Sequence, residues 1–296
     1  CKPCKSIDLS ALTLPEFSVV IPARLGSTRL PRKPLADIAG KPMVVRVAEQ
    51  AKRSGAQSVI VATDSEEVLV VCQQYHIEAL KTRSTHLTGT DRLSEVVEIL
   101  QLPDDKMLVN VQGDEPFIPP ELINLVAKAL HNSPSATIAT IGVPLRDEAD
   151  IQNPNIVKIV YNHLEEALYF SRAPIPFLRD PGSAVNPAQR LVPCLRHIGL
   201  YAYQSHFLRA FTNLSPAPIE LAESLEQLRA LWYGYKIQIV QSHEAPPAGV
   251  DTPEDLYRAQ QQWACDFPPC LEEKCWATLK PQPSTVALQI VHFGWW

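Results

Sequence analysis

The densest chemistry in the chain lies in Pro22-Ala-Arg-Leu-Gly-Ser-Thr-Arg-Leu-Pro-Arg-Lys-Pro34, which gathers Arg24, Arg29, Arg32 and Lys33 within ten residues. Such a concentration of positive charge suits a phosphate chain, and Gly26, Ser27 and Thr28 can turn backbone amides toward an anion. A solvated basic loop has the same composition, so charge alone leaves both readings open. Neither G-x-x-x-x-G-K-[ST] nor G-x-G-x-x-G occurs here, which removes the two common glycine-rich nucleotide loops. Two acidic segments carry the opposite charge. In Val109-Asn-Val-Gln-Gly-Asp114-Glu115-Pro116, a carboxylate at the end of a buried strand could hold Mg²⁺, which takes one or two carboxylates and completes its shell with phosphate oxygens and water. It could equally cap a turn, for about 1 kcal/mol. In Gly249-Val-Asp251-Thr-Pro-Glu-Asp255, either Asp251 or Thr252 could be the N-cap of a helix opening at Pro253, and on the residues alone the cap is the stronger reading.

The rest of the composition is ordinary. Lys+Arg 27 against Asp+Glu 32 gives a net charge of −5, and 46% hydrophobic with 20% charged residues describes a soluble globular protein. The basic excess needed to neutralise many phosphates of a nucleic acid is missing, so no nucleic-acid partner is expected. No apolar run approaches the roughly 18 residues that span a bilayer, and no secretory leader is recognisable, so no membrane insertion and a cytoplasmic location are expected. Cysteine placement is unusual: of 7 cysteines, Cys1 and Cys4 lie at one extremity and Cys265, Cys270 and Cys275 at the other, leaving Cys72 and Cys194 between them. A zinc site would pair two knuckles, and Cys1-x-x-Cys4 is a single half-site, so the ends read as tails rather than metal ligands. The final stretch, with Phe293, Trp295 and Trp296, reads as a docking tail or as sequence outside the fold.

The elements that must position these residues alternate. Residues 17–22 form a short β-branched run. Residues 43–53 have helical spacing, with Val44, Val47, Ala48 and Ala51 on one face. Residues 58–62 are the next buried strand, and Asp64 with Glu67 forms a capping-box pattern for a helix through 70–74. A helix over 90–100, a strand over 107–111 and a helix over 119–130 follow. Continuous Val/Ile strands are what a sheet covered on both faces requires, so the expected fold is α/β, a Rossmann-like doubly wound sheet. After residue 132, strands at 136–143, 156–161 and 195–203 are separated by Pro-rich loops, with helices at 219–232 and 253–263. The expected sheet is therefore mixed. The expected organisation is a tail over 1–13, one domain over 14–263 with an embedded lobe at about 155–215, and a tail over 264–296.

Taken together, the motifs resemble a known family. Besides the three segments above, they include Thr82-Arg-x-x-His86-x-x-Gly-Thr-Asp-Arg92, Tyr169-Phe-Ser-Arg-Ala-Pro-Ile-Pro176, Leu195-Arg-His-Ile-Gly199 and Leu225-Glu-Gln-Leu-Arg-Ala-Leu-Trp-Tyr-Gly234. In this order, from about residue 17 to 261, they resemble the signature segments of the CMP-sugar-acid synthetases. The match is best to the branch that activates 3-deoxy-manno-octulosonate (Kdo) for lipopolysaccharide. Arg32 departs from the pattern, since the family usually has glycine before the lysine.

The resemblance implies a GT-A-like nucleotidyltransferase fold and a Mg²⁺-dependent cytidylyltransferase that uses CTP and Kdo and forms a homodimer. By the same resemblance Lys33, Arg29 and Asp114 are catalytic. Ala23, Arg24, Ser27, Thr28, Arg29, Lys33, Thr90 and Gln112 contact the nucleotide, with the 86–92 loop near the base. Asp114 and Asp251 hold Mg²⁺, and Arg172, His197, Glu226 and Gln227 bind the sugar acid. On the residues themselves, Thr90 is as readily a helix cap, His197 as readily a buried hydrogen-bonding ring, and Glu226 and Gln227, being adjacent, need not share a pocket. Alternatives of other kinds are a synthetase for another sugar acid such as sialic acid, a metal-dependent glycosyltransferase, and an inactive nucleotide-binding module. Concentrated charge in the 24–33 loop suits a triphosphate better than the diphosphate of a nucleotide sugar.

Overall fold

The computed structural model describes residues 14–27, 29–86, 88–145, 147–177 and 194–266, with side chains as far as Trp263. Thr28, residues 1–13 and 267–296, and the side chains of 264–266 lie outside the described residues, and with them the expectations for Thr28 and the terminal cysteines; the backbone of 264–266, expected in the C-terminal tail, continues the last helix.

In chain order the elements are β1 (Phe17–Ala23), a single 3-10 turn at Lys33–Leu35, β2 (Asp37–Ile38), β3 (Lys41–Pro42), α1 (Met43–Lys52), β4 (Ser58–Thr63), α2 (Glu66–Gln74), β5 (Glu78–Lys81) and α3 (Gly89–Ile99). Then come β6 (Met107–Asn110), α4 (Pro120–Asn132), β7 (Ile138–Pro144), α5 (Glu148–Gln152), β8 (Lys158–Tyr161), β9 (Ala167–Ser171), β10 (Leu195–Gln204), α6 (Ser205–Phe211), α7 (Pro218–Glu223), α8 (Gln227–Trp232), β11 (Ile237–Gln241) and α9 (Pro253–Asp266).

The main sheet runs β11-β7-β10-β6-β1-β4-β5, and a β8–β9 hairpin branches from β10. Strand β1 pairs in parallel with β4 and β6, whereas β10 is antiparallel to both β6 and β7. The expected mixed α/β sheet is what the chain forms. Phe17, Val19, Val20 and Ile21 have no exposed surface. Alternate residues of β1 feed different cores: Val19 and Ile21 pack with α1 and α4, and Val20 with α3, α6 and α8. A strand covered on both faces must be apolar at every position, which is why no alternation shows in its sequence.

Several local expectations are corrected. The N-cap of α2 is Ser65, whose Oγ accepts from the Val68 amide at 3.4 Å, not Asp64, which instead faces Arg92 at 3.3 Å. Residues 219–232 do not form one helix, because Ser224 adopts a left-handed conformation (φ 52°) and divides α7 from α8. Thr90 does not cap α3: Thr88 does, in a reciprocal capping box with Asp91. The structure adds two short edge strands, β5 and β11, beyond those expected.

Candidate active site

A cavity of about 440 Å³ opens at the carboxyl ends of β1 and β6, where open α/β sheets bind ligands. The loop after β1 contributes Ala23, Arg24, Gly26, Ser27, Arg29 and Lys33. The approach to α3 contributes His86, Thr88, Gly89 and Arg92, and the turn after β6 contributes Gln112, Gly113 and Asp114. Asp251 closes the far wall. Parallel pairing of β1 with β6 puts both strand ends on one side, and the Val250 amide, which donates to the Asp114 carbonyl at 2.8 Å, brings Asp251 to them from more than two hundred residues beyond β1. Gly113 is required by this approach, since a Cβ there would lie 2.7 Å from the Pro22 carbonyl oxygen. His86, Thr88, Gly89 and Arg92 line the cavity as well, in the motif expected near the base. Arg92 is 3% exposed and tied to Thr82 and Asp64, so it supports the wall more than it meets solvent.

The electrostatic centre is Lys33. Its Nζ donates to Asp114 Oδ2 at 2.5 Å and to Asp251 Oδ1 at 2.7 Å, and Arg29 lies 3.2 Å from Asp251 Oδ2. Burial opposes the ammonium charge, but Asp114 and then Asp251 outweigh it and raise the Lys33 pKa above its ordinary value. Next to Asp114, the Glu115 carboxyl has a buried oxygen, and burial, with the charge of Asp114, pushes its pKa up to about 8. The ambiguity at Asp251 is resolved by α9. Thr252 Oγ1 accepts from the Asp255 amide at 3.2 Å while Asp255 Oδ2 accepts from the Thr252 amide at 2.9 Å. Thr252 is therefore the cap, and the Asp251 carboxylate is free to face Lys33.

Two carboxylates converging on one cationic point fit Mg²⁺, which prefers hard oxygen ligands and shares its shell with substrate phosphates. Among the described residues no group of three or more His, Cys, Asp or Glu side chains could form an all-protein cage.

A second, smaller cavity of about 60 Å³ is lined by Thr90, Ile138, Tyr201, Tyr203, Phe207, Phe211, Glu226, Gln227 and Ala230. Glu226 and Gln227 share it although they are consecutive, since one precedes α8 and the other opens it. Burial pushes the Glu226 carboxyl up, against hydrogen bonds from Thr88 and Thr90. Thr90 therefore sits on this cavity and not on the larger one. His197 and Arg172 line neither cavity. Part of His197 is exposed, but its ring packs against Phe170 and Tyr201, with Nε2 3.2 Å from Thr140 Oγ1, and desolvation pushes its pKa down to about 3. The Arg172 side chain donates to the carbonyls of Glu223 and Pro154, at 2.8 and 3.1 Å. Tyr201, Tyr203 and Phe207 also line the smaller cavity, and nothing in their sequence marks them, because their spacing is that of any buried strand and helix.

Residues 18–237 match the family model described as cytidylyltransferase. The chain belongs to the cytidylyltransferase family. This cytidylyltransferase is 60% identical over 247 residues to the 3-deoxy-manno-octulosonate cytidylyltransferase of Polynucleobacter necessarius subsp. necessarius, a match covering 83% of this chain and 95% of the relative. It is 59% identical, with the same coverage, to the protein of that name from Polynucleobacter asymbioticus. Among solved structures it is similar to a CMP:2-keto-3-deoxy-manno-octonic acid synthetase complexed with CTP, with a TM-score of 0.77 and 38% identity over 86% of this chain and all of the other. A cytidylyltransferase from Leptospira borgpetersenii, at 15% identity and a TM-score of 0.55 over 84% of this chain and 87% of that one, shares the fold. No helix among the described residues of this cytidylyltransferase is long and apolar enough to cross a membrane.

Proposed function

We propose that the protein transfers CMP from CTP to the anomeric hydroxyl of Kdo, supplying CMP-Kdo for lipopolysaccharide biosynthesis in the cytoplasm. The observation that carries this is the meeting of Arg24, Arg29, Lys33, Asp114 and Asp251 on one cavity, in a chain similar to a synthetase that binds CTP. In the transfer, the hydroxyl oxygen forms a bond to the α-phosphorus, the bond from that phosphorus to the bridging oxygen breaks, and pyrophosphate leaves with the electron pair. The hydroxyl proton passes to solvent.

Most of the catalysis is positioning and neutralisation, because phosphate oxygens repel an incoming nucleophile and the leaving group gathers negative charge. Arg24 and Arg29 hold the triphosphate at the cavity wall, with Gly26 and Ser27 letting the backbone approach. Asp114 and Asp251 would hold Mg²⁺, which would supply Lewis-acid stabilisation of the phosphates. Lys33, held between those two carboxylates at the cavity, is the side-chain ammonium available to a phosphate oxygen. Gln112 and the backbone near Ala23 complete the nucleotide contacts.

The test is to incubate purified protein with CTP, Mg²⁺ and Kdo and to measure pyrophosphate. Release with Kdo is expected. Release with sialic acid and none with Kdo would keep the class of reaction and replace the acceptor.

A further inference from the structure

One helix terminus serves both cavities. At the start of α3, Thr88 and Gly89 line the larger cavity, while the next residue, Thr90, lines the smaller one. Thr90 is 4% exposed, and its Oγ1 donates to Glu226 Oε2 at 2.9 Å across 136 positions of sequence. The other oxygen of that carboxylate, Oε1, is buried without a hydrogen bond, and so is Nε2 of the adjacent Gln227. Buried polar atoms are normally paired, and leaving one bare costs more than a pair returns. An unmet acceptor and an unmet donor on one small cavity are the complement of a hydroxyl, which donates to the first and accepts from the second.

We infer that Thr90 is a positioning residue for the acceptor. A hydroxyl has one proton to give. By giving it to Oε2, Thr90 fixes the rotation of the Glu226 carboxylate and leaves Oε1 available beside the Gln227 amide. The pair then receives a hydroxyl of the sugar acid, and the cavity is sized for a hydroxyl-bearing end rather than for a whole eight-carbon sugar. Because Thr90 follows Gly89 directly in the backbone, the geometry of this clamp is set by the same turn that faces the nucleotide. The inference deepens the proposed transfer and rests on it. It also reassigns Thr90 from contacting the nucleotide to orienting the residue that contacts its co-substrate.

The experiment measures initial rates while CTP and Kdo are varied separately, for the wild type, Thr90→Val, Thr90→Ser and Thr90→Ala. Thr90→Val keeps the side-chain shape and removes the hydroxyl. It is expected to raise the KM for Kdo about tenfold, the loss of one hydrogen bond to a charged group, and to leave the KM for CTP within about twofold. Thr90→Ser, which restores the donor, is expected to return the KM for Kdo close to wild type. Thr90→Ala is expected to follow Val, and it serves if the branched variant fails to fold. The inference is overturned if Thr90→Val and Thr90→Ala leave the KM for Kdo unchanged in an active enzyme, or if both substrates lose affinity together with a lowered melting temperature. It is overturned equally if Thr90→Ser behaves as Val does. A wild type that releases no pyrophosphate with Kdo overturns the proposed transfer itself, and this inference with it.

Discussion

Lys33 stands between Asp114 and Asp251 as an internal counter-ion, and this sets what a substitution at either carboxylate does. Asp114 is partly exposed and contributes nothing to the apolar core, so Asp114→Asn should leave the melting temperature within about 2 °C while lowering kcat by about 10²-fold or more, the loss typical of an essential charge-stabilising group. Near-normal turnover across a Mg²⁺ titration would contradict the role given to Asp114. Arg32, the departure from the family pattern, sits at φ 56°, ψ 29°, the left-handed region that costs a residue with a side chain roughly 1–2 kcal/mol. Glycine adopts that geometry freely, which accounts for the family's preference. Arg32→Gly gives up only an exposed ion pair with Glu67. It should therefore stabilise the protein by about 0.5–1 kcal/mol, read as a rise of about 2 °C in thermal melting. At this scale the sequence was most informative where charge clusters: the 24–33 loop, Asp114 and Asp251 all reach one cavity. It was least informative for His197 and Arg172, whose side chains are spent on Thr140 and on backbone carbonyls, partners that no spacing reveals.

The helices owe their limits to residues whose roles became visible only in three dimensions. Asp64 has the residue type of a cap, but Arg92 on α3 lies 3.3 Å from its carboxylate and the neighbouring Ser65 caps α2 instead. The break between α7 and α8 follows from Ser224 in a left-handed conformation, in a stretch whose apolar spacing continues as if it were one helix. Across this break Glu220 Oε2 accepts from Arg229 Nε at 2.8 Å and Oε1 accepts from Arg229 Nη2 at 2.5 Å, with both side chains about nine-tenths buried. Burial raises the Glu220 pKa, but Arg229 and the Ala217 amide more than offset it, and the folded value lies below the ordinary 4.5. The stabilisation from this depressed carboxyl is therefore fully present above about pH 4.5, and it is lost as pH falls through the folded value. Glu220→Ala leaves a buried guanidinium unpaired and should destabilise the protein by about 3 kcal/mol near neutral pH. In urea titrations that deficit should shrink below pH 4. A deficit independent of pH would place the stabilisation in packing instead of charge.

For the molecule as a whole, the sheet was legible from the Val/Ile strands of its first half, because burial on both faces leaves a signature in every residue. The two edges were less so, one in each half of the chain: β5 and β11 are short edge strands that are only partly buried. Exposed Leu164, Leu168 and Phe177 lie in or beside the β8–β9 hairpin, at 56%, 59% and 86% exposure. They are the apolar surface proposed for the homodimer that the family resemblance implies. Sedimentation should then give a species of about twice the 32.9 kDa chain mass, and Leu168→Lys should shift it toward monomer.

The position of β10 bears on how the chain is made. β6 and β7 are consecutive strands, yet they do not pair, because β10 lies between them and pairs antiparallel with both. Until residues 195–204 leave the ribosome, the β5-β4-β1-β6 part of the sheet and the single strand β7 have nothing to join them, since β11, the other partner of β7, follows later still, and the edge of β6 stays bare. A keystone added this late concentrates long-range contacts in one step and leaves the nascent chain open to strand pairing with its neighbours. A truncation ending between residues 132 and 195 would preserve the basic loop and Asp114 in full, yet leave the edge of β6 unpaired and the product prone to aggregate.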